Sequence, residues 1–117
     1  MKILEAQKKV DNWIKEYGVR YFNELTNTAL LMEEIGELSR HIARKYGEQN
    51  YKKECDSKKL IEEEMGDVFF VLLCLCNQMN IDLTQSIINS IEKKTKKIKK
   101  KKILKKKKKK EKIKLLD

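Results

Sequence analysis

The stretch LIEEEMGDV at residues 60–68 repeats the pattern of LLMEEIGEL at residues 30–38. Leu, Glu, Glu and Gly occupy equivalent places in both stretches, and most of the other changes are conservative. Each stretch carries two carboxylates three residues apart, a spacing that puts both on one side of a helix, one turn apart. The repeat therefore predicts two helices that present the same acidic pattern.

Helical rotation separates an apolar stripe from an acidic stripe on each of these two predicted helices. The apolar stripes, which we expect to face the core, consist of Leu31, Ile35, Leu38 and Ile42, and of Ile61, Met65, Val68 and Leu72. The acidic stripes flank them at equivalent angles and contain Glu34, Glu37, Glu64 and Asp67. If the two helices pack together, the four carboxylates converge at the edge of the core.

Converging carboxylates repel one another and lose hydration, a cost that a divalent cation removes. A ligand set made only of oxygen atoms favours a hard ion, Mg²⁺, with Mn²⁺ as a substitute. Mg²⁺ commonly shares its coordination shell with substrate phosphates, so the pattern points to phosphate chemistry. The alternative is that these acids are ordinary charges on a solvated face. Gly36 and Gly66, between the paired acids, indicate that a ligand or another helix approaches the backbone there.

The composition favours a single all-α domain, since the 117 residues include no Pro and only four Gly. Apolar periodicity and capping residues predict four helices and an antiparallel four-helix bundle. The first predicted helix spans residues 3–17, and the second runs from Asn23 or Thr26 to Tyr46. The third runs from Asp56 or Ser57 to Met79, and the fourth begins at a capping box formed by Asp82 and Gln85. We expect Gly18 to cap the first helix and Gly47 to end the second. Residues 48–57 form a polar connection.

Charge is distributed unevenly along the chain, whose net charge is +10. Residues 1–92 carry 12 Lys and Arg against 16 Asp and Glu, a net −4, whereas residues 93–117 carry 16 Lys against two acids, a net +14. We therefore expect a domain over residues 1–92 and a lysine-rich tail over residues 93–117, either helical or disordered. The tail could attract nucleic-acid phosphates, but it has no aromatic residue for base stacking. A solvated extension is the alternative.

The remaining features indicate a cytoplasmic protein without membrane contact. The three cysteines, Cys55, Cys74 and Cys76, form no CxxC pair, and their odd number suits a reducing cytosol, with Cys74 and Cys76 as buried hydrophobes. The apolar run at residues 68–76 is far shorter than the ~20 residues of a membrane span. A chain of this size has a small core, so self-association would stabilise it.

The motif Glu34-Ile-Gly-Glu37, followed on the next helix by Glu64-Met-Gly-Asp67, resembles the MazG-like, all-α NTP pyrophosphohydrolase superfamily. The stretches GVRYFNELTN (18–27), ARKYGEQ (43–49) and EEMGDVFFVLLCLCNQ (63–78) also look like bacterial members of that family. The resemblance covers roughly residues 1–97.

This resemblance implies hydrolysis of (deoxy)nucleoside triphosphates between the α and β phosphates, giving the monophosphate and pyrophosphate, in cleaning of the nucleotide pool. It implies that Glu34, Glu37, Glu64 and Asp67 hold Mg²⁺ and that a metal-associated water is the nucleophile. It also implies a homodimer or homotetramer in which neighbouring subunits take part in the active sites. Base and sugar preference stay open.

Four further residues are candidates for substrate binding. Trp13 could stack on a base, although a core or interface Trp is the alternative. His41, one turn after Glu37, could contact a phosphate or be a surface residue. Many relatives carry a Lys and then an Asn four residues later on the last helix, where this chain has Ser90 and Lys94; Lys94 or Lys97 could substitute as a point charge.

Two other function classes compete with the enzyme. One is a non-enzymatic helical module that binds nucleic acid or acidic partners through the tail. The other is a di-iron bundle, which is disfavoured because that class uses Glu-x-x-His pairs, and His41 is the only His in the sequence.

Overall fold

Four α-helices make up the computed structural model, which describes residues 1–47 and 56–116. The helices are α1 (Ile3–Trp13), α2 (Glu24–Tyr46), α3 (Ser57–Gln78) and α4 (Leu83–Leu116). The described residues include no β-strand, and the all-α prediction is confirmed. Residues 48–55 of the predicted polar connection, with Cys55, lie outside the described residues.

Side-chain caps fix where α2 and α3 begin. The Thr26 N–H donates a hydrogen bond of 2.8 Å to Asn23 Oδ1, and the Lys59 N–H donates one of 3.2 Å to Asp56 Oδ1. These bonds satisfy amide donors that the first turn of a helix leaves unpaired. Of the two alternatives predicted at each helix start, Asn23 and Asp56 are therefore the caps.

Gly47 ends α2, as predicted, for a steric reason. Its N–H donates to the Ala43 carbonyl oxygen over 2.7 Å, and a Cβ at this position would lie only 2.5 Å from that oxygen. A side chain at residue 47 would therefore force the end of the helix to shift.

The end of α1 differs from the prediction. A π-helical turn, Ile14–Gly18, follows α1, and the residue with a left-handed backbone is Val19, with φ of 68°, rather than Gly18. A β-branched residue in this region of φ/ψ space is strained. The predicted Gly18 cap was wrong because the wider turn delays the chain reversal by one residue. The strained turn leads into the segment that carries Tyr21 and Phe22.

The structure divides into two units, Met1–Leu83 and Thr84–Asp117. In the first unit, α3 packs against both α1 and α2. Val10, Leu73 and Cys74 form the buried centre of its core. Cys74 and Cys76 are buried free thiols, as predicted, and burial raises the pKa of Cys74 to about 11. This thiol therefore stays protonated and acts as a small hydrophobe.

A buried glutamine ties α1 to the chain beyond α3. Gln7 Nε2 donates to the Ile81 carbonyl oxygen at 2.9 Å and to Asn77 Oδ1 at 3.2 Å. Gln7 Oε1 accepts a hydrogen bond of 3.0 Å from the N–H of Leu83, the first residue of α4. Because buried polar groups need specific partners, these bonds fix the register of α1 against the end of α3.

Helix α4 continues without a break past residues 92 and 93 and through residue 116. Every residue from 91 to 116 is exposed. Among the helices described here, none has the length and apolar composition needed to cross a bilayer.

Candidate metal centre

Three of the four predicted acids come together where α2 packs on α3. One carboxylate oxygen from each of Glu34, Glu37 and Glu64 lies within 4.8 Å of the other two. All three side chains are half-buried. Glu34 and Glu37 are three residues apart on α2, so they share a face, and Glu64 reaches that face from α3. Three oxygen donors at this separation can bind one small cation.

Asp67, the fourth predicted ligand, is exposed and lies outside this group of three. Its charge still acts on the group, because it contributes to the raised pKa of both Glu34 and Glu64. Asp67 follows Glu64 by three residues on α3, at the rim of the cluster. Its role as a ligand stays a prediction.

Glu34 and Glu64 bear the electrostatic cost of this arrangement. Desolvation by burial, and then repulsion by the Glu37 carboxylate, raise the pKa of each above its usual value. Oε2 of Glu34 and Oε2 of Glu64 are buried, and neither has a hydrogen-bond partner within the described part of the chain. A buried anionic oxygen without a donor is expensive, and a divalent cation would supply the missing partner. The residues present therefore fit a metal ion.

The burial pattern of α2 and α3 is rotated from the predicted one. Ile35 is 45% exposed and Met65 is 52% exposed, whereas the three clustered acids are half-buried. The prediction that Ile35, Ile42 and Met65 face the core was wrong for the described residues. A helical wheel assumes that only apolar groups turn inward. Here the acids occupy the helix contact, and part of the apolar stripe is left on the surface.

The glycines between the paired acids do not mark a close approach by another described helix. A Cβ built on Gly36 or on Gly66 meets no atom within 4 Å. Of the two predicted alternatives, the approach of another described helix is therefore not met, and the approach of a ligand stays a prediction.

The other predicted substrate-binding residues lie in different parts of the structure. His41 is half-buried on α2, one turn beyond Glu37. Lys94 and Lys97 are exposed on α4 in the second unit, and Lys94 Nζ donates to Ser90 Oγ at 2.8 Å. The predicted phosphate contacts of these residues stay predictions.

Trp13 belongs to an aromatic pocket in the first unit. The Trp13 ring meets Phe70 edge to face, with centroids 5.5 Å apart, and is itself 48% exposed. Both residues line a cavity of about 270 Å³, together with Tyr21 and Phe22. The Tyr21 hydroxyl donates to Asp11 Oδ1 at 2.7 Å and accepts from Asn77 Nδ2 at 3.0 Å. These hydrogen bonds hold one aromatic wall of the pocket in place.

The pocket adjoins the acid cluster along α2 and α3. Leu30 and Val71 line it, and they are four residues from Glu34 and Asp67 respectively. Four residues of helix correspond to a rise of about 6 Å.

Of the four aromatic residues of this pocket, only Trp13 was predicted from the sequence as a binding residue. Two of them, Tyr21 and Phe22, are adjacent in sequence, and Phe70 comes three residues after Asp67, one turn from the acid motif. These positions in the sequence were the signal from which the pocket could have been predicted.

The fold and the site define an all-helical class of proteins in which carboxylates from two helices converge, an arrangement of oxygen donors that fits a divalent cation. Comparison with known proteins gives the family. The model of the MazG nucleotide pyrophosphohydrolase domain matches residues 22–103, and the chain belongs to this family. The resemblance drawn from the two acidic motifs is confirmed.

Relatives from Bacillus support the same family. The uncharacterized protein YpjD of Bacillus subtilis (strain 168) is 43% identical over 82 residues, which are 70% of this chain and 73% of YpjD. The crystal structure of YPJD from Bacillus subtilis superposes with a TM-score of 0.69 at 36% identity, covering 80% of this chain and 92% of that chain. The crystal structure of the Bacillus-conserved MazG protein, described as a nucleotide pyrophosphohydrolase, superposes with a TM-score of 0.68 at 38% identity. The match covers 80% of this chain and 88% of that chain.

Replacing Glu64 with Gln should stabilise the metal-free protein near neutral pH, because it removes a buried charge that repels its neighbours. We expect the free energy of unfolding of Glu64→Gln to rise by about 1 kcal/mol. The folded chain binds the Glu64 proton more tightly than the unfolded chain, whose pKa is near 4.5. The contribution of Glu64 to the free energy of unfolding of the wild type is therefore fully present below about pH 4.5. It is lost as the pH rises through the raised pKa of the folded state. The advantage of the variant should shrink on acidification.

Urea unfolding in EDTA, at about pH 5 and about pH 7.5, measures this difference. Glu63→Gln, a change at the exposed neighbouring residue, is the matched control and should leave stability nearly unchanged. Added Mg²⁺ should stabilise the wild type and the control more than Glu64→Gln. Equal stabilities of the two variants at both pH values would contradict the electrostatic account.

Proposed function

We propose that this chain hydrolyses nucleoside triphosphates, or their deoxy forms, between the α and β phosphates, releasing the monophosphate and pyrophosphate. The observation that carries the proposal is the convergence of Glu34, Glu37 and Glu64 in a MazG domain, where two of these side chains have a buried oxygen without a partner among the described residues. A structural neighbour at 38% identity is described as a nucleotide pyrophosphohydrolase. The role we infer is housecleaning of the nucleotide pool in the cytoplasm, which agrees with the free thiols of Cys74 and Cys76.

Glu34, Glu37 and Glu64 would hold Mg²⁺, or Mn²⁺ as a substitute, with Asp67 as a further ligand from the rim. When bound, the ion supplies positive charge to the phosphate oxygens and lowers the pKa of water. The protein contributes the fixed spacing of the donors, because two of them share a face of α2 and the third faces them from α3.

A carboxylate must also accept the proton that water loses when its oxygen attacks phosphorus. One of the clustered glutamates is the candidate for this general base, through a carboxylate oxygen that does not bind the ion. Glu34 and Glu64 each carry a buried oxygen that makes no hydrogen bond to the described protein residues.

We infer that the aromatic pocket holds the nucleobase. Flat rings prefer offset or edge-to-face contacts with aromatic side chains, and Trp13, Tyr21, Phe22 and Phe70 offer both faces and edges. Along α2 the order is Leu30 at the pocket, then Glu34 and Glu37, then His41. A base in the pocket therefore directs the triphosphate along the acids and its terminal phosphates toward His41.

Loss of a clustered carboxylate should remove activity without unfolding the protein. We expect Glu37→Gln to lower kcat/KM for triphosphate hydrolysis by at least about 100-fold, because a metal site loses an anionic ligand. The measurement is Mg²⁺-dependent pyrophosphate release from a panel of NTPs and dNTPs. Glu33→Gln, an exposed acid four positions earlier on α2, is the control and should keep most of the activity. Similar rates for both variants, or no pyrophosphate from the folded wild type, would refute the proposal.

Truncation of the aromatic pocket should weaken substrate binding more than it slows the chemical step. We expect Phe70→Ala to raise KM by about tenfold, the loss of one aromatic contact of about 1.4 kcal/mol, with a smaller change in kcat. Tyr17→Ala is the matched control, since the ring centroids of Tyr17 and Trp13 are 5.6 Å apart but Tyr17 does not line the pocket. Steady-state kinetics on the best substrate of the panel measure both constants. A loss in kcat alone, or an equal rise in KM for the control, would rule out this base site.

We infer that the exposed apolar surface of α2 and α3 mediates homodimer or homotetramer formation. Ile35, Ile42, Met65 and Phe69, which we call the α2–α3 surface, are all more than one third exposed. Beside them, a groove of about 350 Å³ is lined by Ile42, Tyr46, Ile61 and Met65, among other residues. Burying such a surface against a second copy is worth about 25 cal/mol per Å² of apolar area, which would compensate for the small core of one chain.

A charge on the α2–α3 surface should dissociate the oligomer. The mass of one chain is 13.9 kDa, and we expect the wild type to sediment at twice or four times this value. Met65→Glu should lower the sedimenting mass to that of the monomer, because a carboxylate would have to be buried in the interface. Leu25→Glu, a change at a more exposed apolar residue of α2, should leave the mass of the oligomer unchanged. Analytical ultracentrifugation separates these outcomes, and a monomeric wild type would contradict the inference.

A further inference from the structure

The last 24 residues of α4 present an exposed surface that consists mainly of lysine. Residues 93–116 contain 16 Lys and a single acid, Glu111, and every one of them is exposed. The MazG match ends at residue 103, so the run of six lysines at residues 105–110 lies beyond it. The acid cluster and the aromatic pocket belong to the other unit and account for none of this charge.

The spacing of these charges resembles that of a nucleic-acid backbone. Twenty-four helical residues rise about 36 Å, so the 16 lysines provide one positive charge per roughly 2.3 Å. Duplex DNA carries one negative charge per roughly 1.7 Å of its axis. A helix with its side chains is about 10–12 Å across, which is close to the width of a major groove, about 12 Å.

The apolar residues of this segment do not form a face that could enter a membrane. The six apolar residues point in directions spread around the helix when about 100° is allowed per residue; they are Ile98, Ile103, Leu104, Ile113, Leu115 and Leu116. Helices that lie in a bilayer surface need one continuous apolar side opposite their charges. The segment has no aromatic residue either, so it cannot read bases by stacking. Phosphate is the group that this surface is suited to recognise.

Repulsion within the helix gives a further reason to expect a polyanionic partner. Lysines recur three and four residues apart along the segment, and like charges at these spacings destabilise a helix. Glu111 is the only carboxylate within residues 93–116 that could offset them. Bound phosphates would relieve the repulsion along the whole segment. We propose that residues 93–116 of α4 bind the phosphate backbone of nucleic acid, independently of base sequence.

Binding of the full-length protein to a fluorescent DNA duplex of mixed sequence, followed by anisotropy at several salt concentrations, tests the proposal. We expect micromolar binding at about 150 mM salt and a loss of about 10³-fold in affinity between about 50 and 200 mM, the result of about six phosphate contacts. The affinity should be the same for unrelated sequences. Helicity measured by circular dichroism should rise when the duplex is added.

A variant that carries Lys99→Gln and the same change at residues 100–102 and 105–108 lowers the tail charge from +14 to +6. Glutamine forms helices about as well as lysine, so the helix is kept while the charge is lost. We expect at least tenfold weaker binding and a shallower salt dependence. The matched control changes the same eight lysines to Arg, keeps the charge, and should retain binding.

Single-stranded DNA and phosphatidylserine vesicles at equal phosphate concentration identify the source of the phosphate. Binding to both strand forms, with weaker binding to vesicles, supports the proposal. Stronger binding to vesicles than to the duplex overturns it in favour of a membrane surface. An absence of binding at about 150 mM salt, or equal binding by the Gln variant, also overturns it.

Discussion

The contact between α2 and α3 is the feature on which the first unit depends, because it gathers charge where helices usually meet through apolar side chains. One oxygen from each of Glu34, Glu37 and Glu64 lies within 4.8 Å of the others, and two of their oxygens are buried without a donor among the described residues. Such a contact is unfavourable on its own, so the fold must draw stability from other parts of the unit. That stability comes from the other side of α3, where α1 packs on Leu73 and Cys74 and Gln7 fixes the register.

The sequence analysis located the helices and the acids because both depend on local spacing. Asn23, Asp56 and Gly47 act through neighbours within four residues, and the repeated Glu-x-x-Glu/Asp spacing determines which side chains share a face. The rotation of each helix could not be obtained in this way, since it depends on what packs on both sides. The assumption that apolar groups turn inward placed Ile35 and Met65 in the core, and it failed where the acids occupy the contact between the helices.

Residues distant in sequence caused the other differences. The aromatic pocket joins Trp13, the last residue of α1, to Phe70 on α3, and no periodic pattern connects these positions. The π-helical turn and the strained Val19 are part of the same geometry, since they lead directly into Tyr21 and Phe22. Glycine is the residue that adopts a left-handed backbone most readily, and the sequence offers Gly18. Tertiary packing instead places the left-handed conformation one position later, at Val19. The pocket therefore depends on the path of the chain as much as on its composition.

The family assignment and the pocket support different parts of the proposed function. The clustered acids lie within residues 22–103, the range that the MazG model matches, so the inferred reaction rests on both kinship and geometry. Trp13 and Tyr21 lie before that range, yet they form part of the wall against which we expect the base to bind. Membership of the family therefore supports the phosphate chemistry but does not determine which base the protein prefers. If the base binds in this pocket as we propose, side chains of α1 and of the segment after it take part in the choice among nucleotides.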